Sequence, residues 1–244
     1  MFRVLTYDIN SKAYKLLCKT LEAKGIRPEN SEYRYREGDK VINWGLYGGR
    51  GYPVIMNQFK AVEVCTSKTA TFRAFDASGV TGPKWSLSQR WALQQHDSGK
   101  TIYARFADRG CMGEGITVCK QGDEVPYAPF YTVGFPIERE YRVYVAYGQV
   151  IDIREKVKPR DMELDMDVRA SDDWLYSVRE PHQVPEQLLK QSIAASSAVG
   201  LDFCGVDIAT DKLDNTCVFE VNSAPWLGTI TVNRLVDILK ERFA

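Results

Sequence analysis

The sequence predicts an α+β chain of several lobes rather than a doubly wound sheet. Three observations predict it. A strand–helix–strand order is confined to the N-terminal region, successive hairpins fill the rest of the chain, and one long helix precedes the last hairpin. With 244 residues the chain is long enough for one large domain or two to three small lobes, and long enough to bury a real core. Its 44% hydrophobic and 26% charged residues are ordinary globular composition, which excludes a disordered, collagen-like or membrane-bundle chain.

The elements follow in order. A strand over 2–7 leads to a helix over 11–24, where Tyr14, Leu17, Cys18 and Leu21 recur at helical spacing and Gly25 supplies the stop. A short strand over 40–44 ends at the loop 45–53, which contains Gly48-Gly49-Arg50-Gly51, and this β-α-β order suggests a small parallel sheet. A helical stretch near 67–78 ends at the turn Gly79-Val80-Thr81-Gly82-Pro83, and helix or loop continues to Gly99. Strands over 101–106 and 116–120 enclose a glycine-rich turn as a hairpin. Strands over 140–146 and 150–156 flank Tyr147-Gly148-Gln149 as a second. Residues 157–183 are polar and irregular, either a loop over a site or a plain surface excursion. Pro185, Glu186 and Gln187 open a helix that reaches Val199 and closes at Gly200. A third hairpin pairs 204–209 with 217–222, and a last helix covers 232–242.

Charge and cysteines narrow the function classes. Lys+Arg and Asp+Glu are both 32, so there is no basic excess and nucleic acid is disfavoured as a main electrostatic partner. The N-terminus lacks the apolar stretch of a signal peptide, and no run of about 18 apolar residues suggests a membrane span. The six cysteines contain no C-x-x-C pair, which argues against a zinc ribbon or a thioredoxin-type site. Free thiols in a reducing cytoplasm are the simplest reading. Only His96 and His182 are present, so chemistry built on several histidines is poorly supplied, and Cys111 has no visible base to make it a nucleophile.

The third hairpin carries the chemistry. Alternation along 217–222 puts Val218, Glu220 and Asn222 on one face, with Cys217, Phe219 and Val221 on the other. On the partner strand Asp207 shares a face with Gly205 and Ala209. If Thr210 faces Cys217, then Asp207 faces Glu220. Two carboxylates directly opposite each other repel and favour a cation between them. The ligand set Asp207, Glu220 and the Asn222 amide oxygen is all hard oxygen, which suits Mg²⁺. That ion takes one or two carboxylates and completes its shell with water and substrate phosphates, so the site points to a nucleoside triphosphate. The alternative is a solvated hairpin edge. The apolar neighbours Phe219 and Ala224-Pro225-Trp226 speak against it.

Phosphate-binding candidates lie elsewhere. Gly110-Cys111-Met112-Gly113-Glu114-Gly115 joins two strands, and its glycines allow backbone N–H groups to approach an anion. It is neither a Walker A motif nor a dinucleotide fingerprint, and an ordinary hairpin turn is the alternative. Arg105 enters this turn. Arg142 sits among Tyr141, Val143 and Val145, and Arg154 and Lys156 alternate on the polar face of the return strand. A positive row of this kind can hold a triphosphate. Surface charge paired with Glu138, Glu140 and Glu155 is the other reading, favoured for Arg154 and not for Arg142. Lys68 follows Thr66-Ser67 early in a helix and carries little signal alone.

These segments together resemble the ATP-grasp superfamily and, within it, the ligases related to those that add glutamate to protein carboxyl ends. The carrying residues are Glu140-Tyr141-Arg142-Val143 with its hairpin to Lys156, Gly205-Val206-Asp207-Ile208, and Glu220-Val221-Asn222-Ser223-Ala224-Pro225. The chain looks especially like small ATP-grasp proteins of bacteriophages, through Asn43-Trp44-Gly45, Asn57, Ala61-Val62 and Lys68. The resemblance implies an ATP-grasp fold of three lobes: a small N-terminal α/β lobe over 1–65, a central lid lobe over 66–135 and a C-terminal antiparallel-sheet lobe over 136–244. It implies that Asp207, Glu220 and Asn222 hold Mg²⁺, with Mn²⁺ as a substitute, and that Arg142 contacts phosphate or the reacting acyl group. Lys68 and Arg105 would touch ATP phosphates under the turn bearing Gly113 and Gly115. Tyr131, Thr132 and Val133 would offer backbone to adenine, and Glu140 would lie near the nucleotide. This chain departs from relatives at Arg105, where many have lysine, at Trp226, where many have glycine, and at Arg169-Ala170, where relatives have an Arg-Asn pair.

The implied activity is ATP-dependent joining of a carboxylate to an amine through an acylphosphate, in the cytoplasm, or in the host cytoplasm if the protein is phage-encoded. The alternatives are a kinase-like phosphotransferase and a nucleotide-binding protein without turnover that acts on a host factor.

Overall fold

The computed structural model describes residues 1–27, 33–48, 53–110, 113–159 and 174–243. Three sheets organise the chain. The first is parallel, in the order β2-β1-β3, from β1 (Phe2–Thr6), β2 (Lys24–Ile26) and β3 (Lys40–Trp44). Helix α1 (Lys12–Leu21) joins the first two strands. Its Ser11 cap accepts from the Tyr14 N–H, and Ala13, Tyr14, Leu17 and Leu21 are buried. The predicted helix is three residues too long at its end. It stops at Glu22, which adopts the left-handed conformation, and not at Gly25. Gly25 lies in β2 for a different reason: the Tyr14 ring covers it, and an added Cβ would overlap the phenol.

Helices α2 (Phe59–Thr66) and α3 (Lys68–Ser78) follow, the first unanticipated from sequence. The second sheet has the order β4-β7-β5-β6, from β4 (Trp85–Ser86), β5 (Ile102–Arg105), β6 (Ile116–Cys119) and β7 (Phe130–Val133). Helix α4 (Gln89–Asp97) backs it and closes a small core with Ile102, Ala104, Cys119 and Tyr131.

The third sheet is antiparallel, in the order β10-β9-β8-β11-β12. It comprises β8 (Arg139–Ala146), β9 (Gln149–Val157), β10 (Leu175–Val178), β11 (Phe203–Thr210) and β12 (Thr216–Asn222). Strand β10 and the short 3-10 turn Pro181–Gln183 fall within the stretch expected to be irregular. Helix α5 (Glu186–Val199) covers one face, where Val143, Ile153, Leu188, Val199, Val206, Ile208, Val218 and Val221 pack with residues of α2 and α3. Helix α6 (Thr229–Phe243) packs on α1 and on one end of the other face, where Tyr144, Ala146 and Phe203 meet Trp44 of β3. Burial of such alternating apolar sets fixes which face of each strand turns inward.

The remainder of that second face is polar. Cross-strand pairing aligns Lys156, Glu140 and Ala209 in one row, then Arg154, Arg142, Asp207 and Glu220, then Asp152, Tyr144, Gly205 and Asn222. The register of the last hairpin departs from the predicted one. Thr210 pairs with Thr216, not Cys217, and a bulge leaves Phe219 without a cross-strand partner, so Asp207 still pairs with Glu220. The bulge also moves Val218 off the Glu220 face. It pairs with Ile208 and is fully buried in the core.

Candidate functional site

The three rows present charged groups from four strands of the sheet, and α3 and β5 add Lys68 and Arg105 beside them. Arg142 donates to both oxygens of Asp207, Nε to Oδ1 at 2.7 Å and Nη2 to Oδ2 at 2.8 Å. A bidentate, charge-assisted pair of this kind is strong and directional. Burial works against the Arg142 charge, but Asp207 outweighs it and holds the guanidinium well above its ordinary pKa. Asn222 donates through Nδ2 to Asp207 Oδ2 at 3.1 Å.

Glu220 is less well served. Lys68 Nζ stands 3.7 Å from its Oε1. Burial pushes the Glu220 carboxyl above its ordinary value and the charge of Asp207 adds to this, while Lys68, Arg142 and Arg105 only partly offset both. Arg105 is itself pushed down by burial, against the pull of Glu220, and its Nε donates to Thr132 Oγ1 at 3.1 Å.

The structure thus gathers Lys68, Arg105, Arg142, Asp207, Glu220 and Asn222 about one region. The donor set fits a divalent cation. Asp207, Glu220 and Asn222 offer only hard oxygens, the Asn222 bond uses nitrogen and leaves its oxygen without a described donor, and Glu220 lacks sufficient positive charge. Among the described residues no group of three or more His, Cys, Asp or Glu side chains could hold a metal. Two carboxylates and an amide match the habit of Mg²⁺, which leaves several positions to water and phosphate.

Other predicted residues lie apart from this group. Glu140 pairs with Lys156 at 3.1 Å, one row along the sheet, and Lys156 also faces the Trp174 ring at 5.0 Å. Arg154 does pair with an acid, but with none of the three glutamates considered. Its partner is the buried Asp152 of the same strand, at 2.8 Å, and Asp152 also bonds Thr231 of α6. Gly113 and Gly115 both have positive φ, 75° and 67°, which the turn between β5 and β6 requires. Cys111 and Met112 of that turn, Gly49, Arg50 and Gly51, and Arg169 and Ala170 lie outside the described residues.

Tyr131 and Thr132 are buried in β7, which is paired on both sides. The Val133 N–H donates to the Lys84 carbonyl at 2.9 Å. That backbone donor is therefore engaged within the sheet and is not open to adenine here. Sequence reasoning missed Asp108, Asp152 and Tyr176, whose ring lies 5.9 Å from the Arg142 guanidinium. Only Ser67, a helix-start residue just ahead of Lys68, hinted at the first of these.

Known proteins resemble parts of this chain in sequence and all of it in fold. Residues 131–235 match a family described as an ATP-grasp domain, the second family of its clade. The tetrahydromethanopterin:alpha-L-glutamate ligase of Methanocaldococcus jannaschii is 29% identical over 157 residues, 54% of this chain and 50% of that protein. The chain spans half the length, or less, of the curated relatives it matches. Among solved structures, the ATP-grasp ligase PsnB with minimal precursor, Mg and ADP superposes with a TM-score of 0.73 at 16% identity, covering 100% of this chain and 97% of PsnB. The D-alanine–D-alanine ligase of Bacillus anthracis gives a TM-score of 0.65 at 14% identity, over 99% and 96% of the two chains. The chain has the ATP-grasp fold, and its residues 131–235 are similar to an ATP-grasp domain family.

Proposed function

We propose that the protein is an ATP-dependent carboxylate–amine ligase that works through an acylphosphate. One observation carries this reading: Asp207 stands opposite Glu220, with Arg142, Lys68 and Arg105 converging on the pair. The γ-phosphoryl group of ATP passes to a substrate carboxylate oxygen, giving an acylphosphate and ADP. An amine nitrogen then attacks the acyl carbon, phosphate leaves, and the nitrogen loses its proton to give the amide. Such chemistry needs mainly positioning and neutralised charge, which suits a chain with two histidines.

Asp207, Glu220 and the Asn222 oxygen would hold Mg²⁺, or Mn²⁺ in its place; the bound cation would neutralise charge on the β- and γ-phosphates. Lys68 and Arg105 would bind phosphate oxygens beneath the turn that bears Gly113 and Gly115. Arg142 would orient the acyl group. Glu140, Lys156 and Arg154 border the same face and would shape its edges. Adenine would take backbone contacts from Tyr131, Thr132 and Val133 if the Lys84–Val133 bond opens, and otherwise from the segment that follows. In this reading the three sheets belong to lobes over 1–65, 66–135 and 136–244. The described cysteines are free, which suits a reducing cytoplasm, and among the described residues no helix is long and apolar enough to cross a membrane.

The test is mass spectrometry of small molecules and peptides after incubating a cell lysate with the protein and Mg-ATP. A condensed product formed with ADP supports the reading, and Asp207→Asn should abolish it. A phosphorylated but uncondensed product would make the protein a phosphotransferase instead.

A further inference from the structure

The first turn of α3 is tied to the entry of the glycine-rich turn by an acidic side chain that follows β5. Asp108 lies just beyond β5, at the entry to that turn. Its Oδ2 accepts from the Ser67 hydroxyl at 2.6 Å and its Oδ1 from the Thr69 N–H at 2.8 Å. The Asp108 carbonyl accepts from the Lys68 N–H at 2.9 Å. Two residues on, the Gly110 carbonyl accepts from Lys68 Nζ at 3.2 Å. Lys68 is therefore held at both its backbone and its ammonium by the segment just after β5, about forty positions away in sequence.

Helix α3 does not need this joint in order to start. Ser67 already caps it, accepting from the Ala70 N–H at 3.1 Å. Asp108 is a second cap, from a distant element. Burial raises the pKa of its carboxyl, but the bonds from Ser67 and Thr69 outweigh burial, with help from Arg109, and hold it below the ordinary value. It is ionised at neutral pH, and its hydrogen bonds are charge-assisted.

We propose that Asp108 is a positioning residue that fixes Lys68 against the segment 108–110, so that the Lys68 ammonium meets the phosphates of a nucleotide already in place. This rests on the nucleotide-binding reading of the site. Lys68 Nζ lies between the Gly110 carbonyl and Glu220, and it holds that place because its helix cannot slide against the hairpin. A lysine placed before the ligand arrives binds phosphate without first losing its freedom of position.

Calorimetric titration with a nonhydrolysable Mg-ATP analogue and, separately, with adenosine tests this. Asp108→Ala should weaken the analogue about tenfold while adenosine affinity stays unchanged. Asp108→Asn keeps an acceptor for the Thr69 N–H and should fall between. In a Lys68→Ala background, Asp108→Ala should cost nothing further, because its effect passes through Lys68. Unchanged analogue binding in Asp108→Ala overturns the proposal, as does an equal loss for adenosine or full additivity with Lys68→Ala. If Asp108→Ala does not fold, the same comparisons on Asp108→Asn decide. A wild-type protein that binds neither ligand overturns the nucleotide site itself and the role of Asp108 with it.

Discussion

Asp207 answers to two partners at once. Arg142 grips both its oxygens, and Asn222 adds a third bond, yet the same carboxylate faces Glu220 across the hairpin. Asp207→Asn keeps the shape and removes the charge. Arg142, only 22% exposed at its side chain, would then face an amide that presents a donor to it. The expected loss is about 1–3 kcal/mol in denaturant unfolding, with a folded protein at room temperature and no ADP release. The pairing of Asp207 with Glu220 follows from the sequence only through a register that fails at the loop, where Thr210 pairs with Thr216, and the bulge at Phe219, which no local signal announces, restores the match at the acids. The partner of Arg142 was not named, since nothing local says that β8 lies beside β11. For the same reason Asp108 and Asp152 went unnoticed. Each is an acid among many, and its meaning comes from Ser67 or from Thr231, far away in sequence.

Elements show where local signals suffice and where they do not. Helices α3 and α5 have cap or stop residues at both ends, Ser67 with Gly79 and Pro185 with Gly200, and their spans follow the sequence closely. Strands β4 and β7 are short, and they hold together by pairing to each other and to β5, which leaves little periodicity to read. The polar row beside Asp207 depends on a close approach at Gly205. A Cβ there would lie 2.8 Å from the Pro225 ring and 3.5 Å from the Arg142 side chain. Gly205→Ala should push Pro225 away and cost about 1–3 kcal/mol, measured as a lower denaturant midpoint. It should also weaken nucleotide binding by displacing Arg142.

At the scale of the whole molecule, one asparagine joins the segment after β3 to the antiparallel sheet. Buried Asn57 has a φ of 59°; its Nδ2 donates to the Phe203 carbonyl at 2.8 Å, and its Oδ1 accepts from the Asp202 and Phe203 N–H groups at 3.0 and 2.9 Å. Trp44 and Phe203 stack beside it at 5.6 Å. Asn57→Ala should destabilise by about 2–4 kcal/mol, because buried backbone groups lose their partners. Asn57→Gly loses the same bonds but accepts the left-handed backbone, so it should be about 1 kcal/mol milder in urea unfolding. Alkaline pH acts on the whole fold through buried thiols. Burial pushes Cys204 and Cys217 up to about 12, so both stay protonated when folded. The unfolded chain releases those protons near its ordinary pKa of about 8.5, so stability should fall from roughly pH 8.5 upward towards pH 12. Urea midpoints at rising pH check this, and Cys217→Ala should flatten the slope. Finally, β12 holds one residue more than its ladder uses. Phe219 sits outside the pairing and sets its ring edge-on to Phe135, 6.2 Å away on the stretch between β7 and β8. A homologue one residue shorter at this point would keep the two acids face to face and forfeit only an aromatic tether to the connecting stretch, so the hairpin can change length in evolution without disturbing its chemistry.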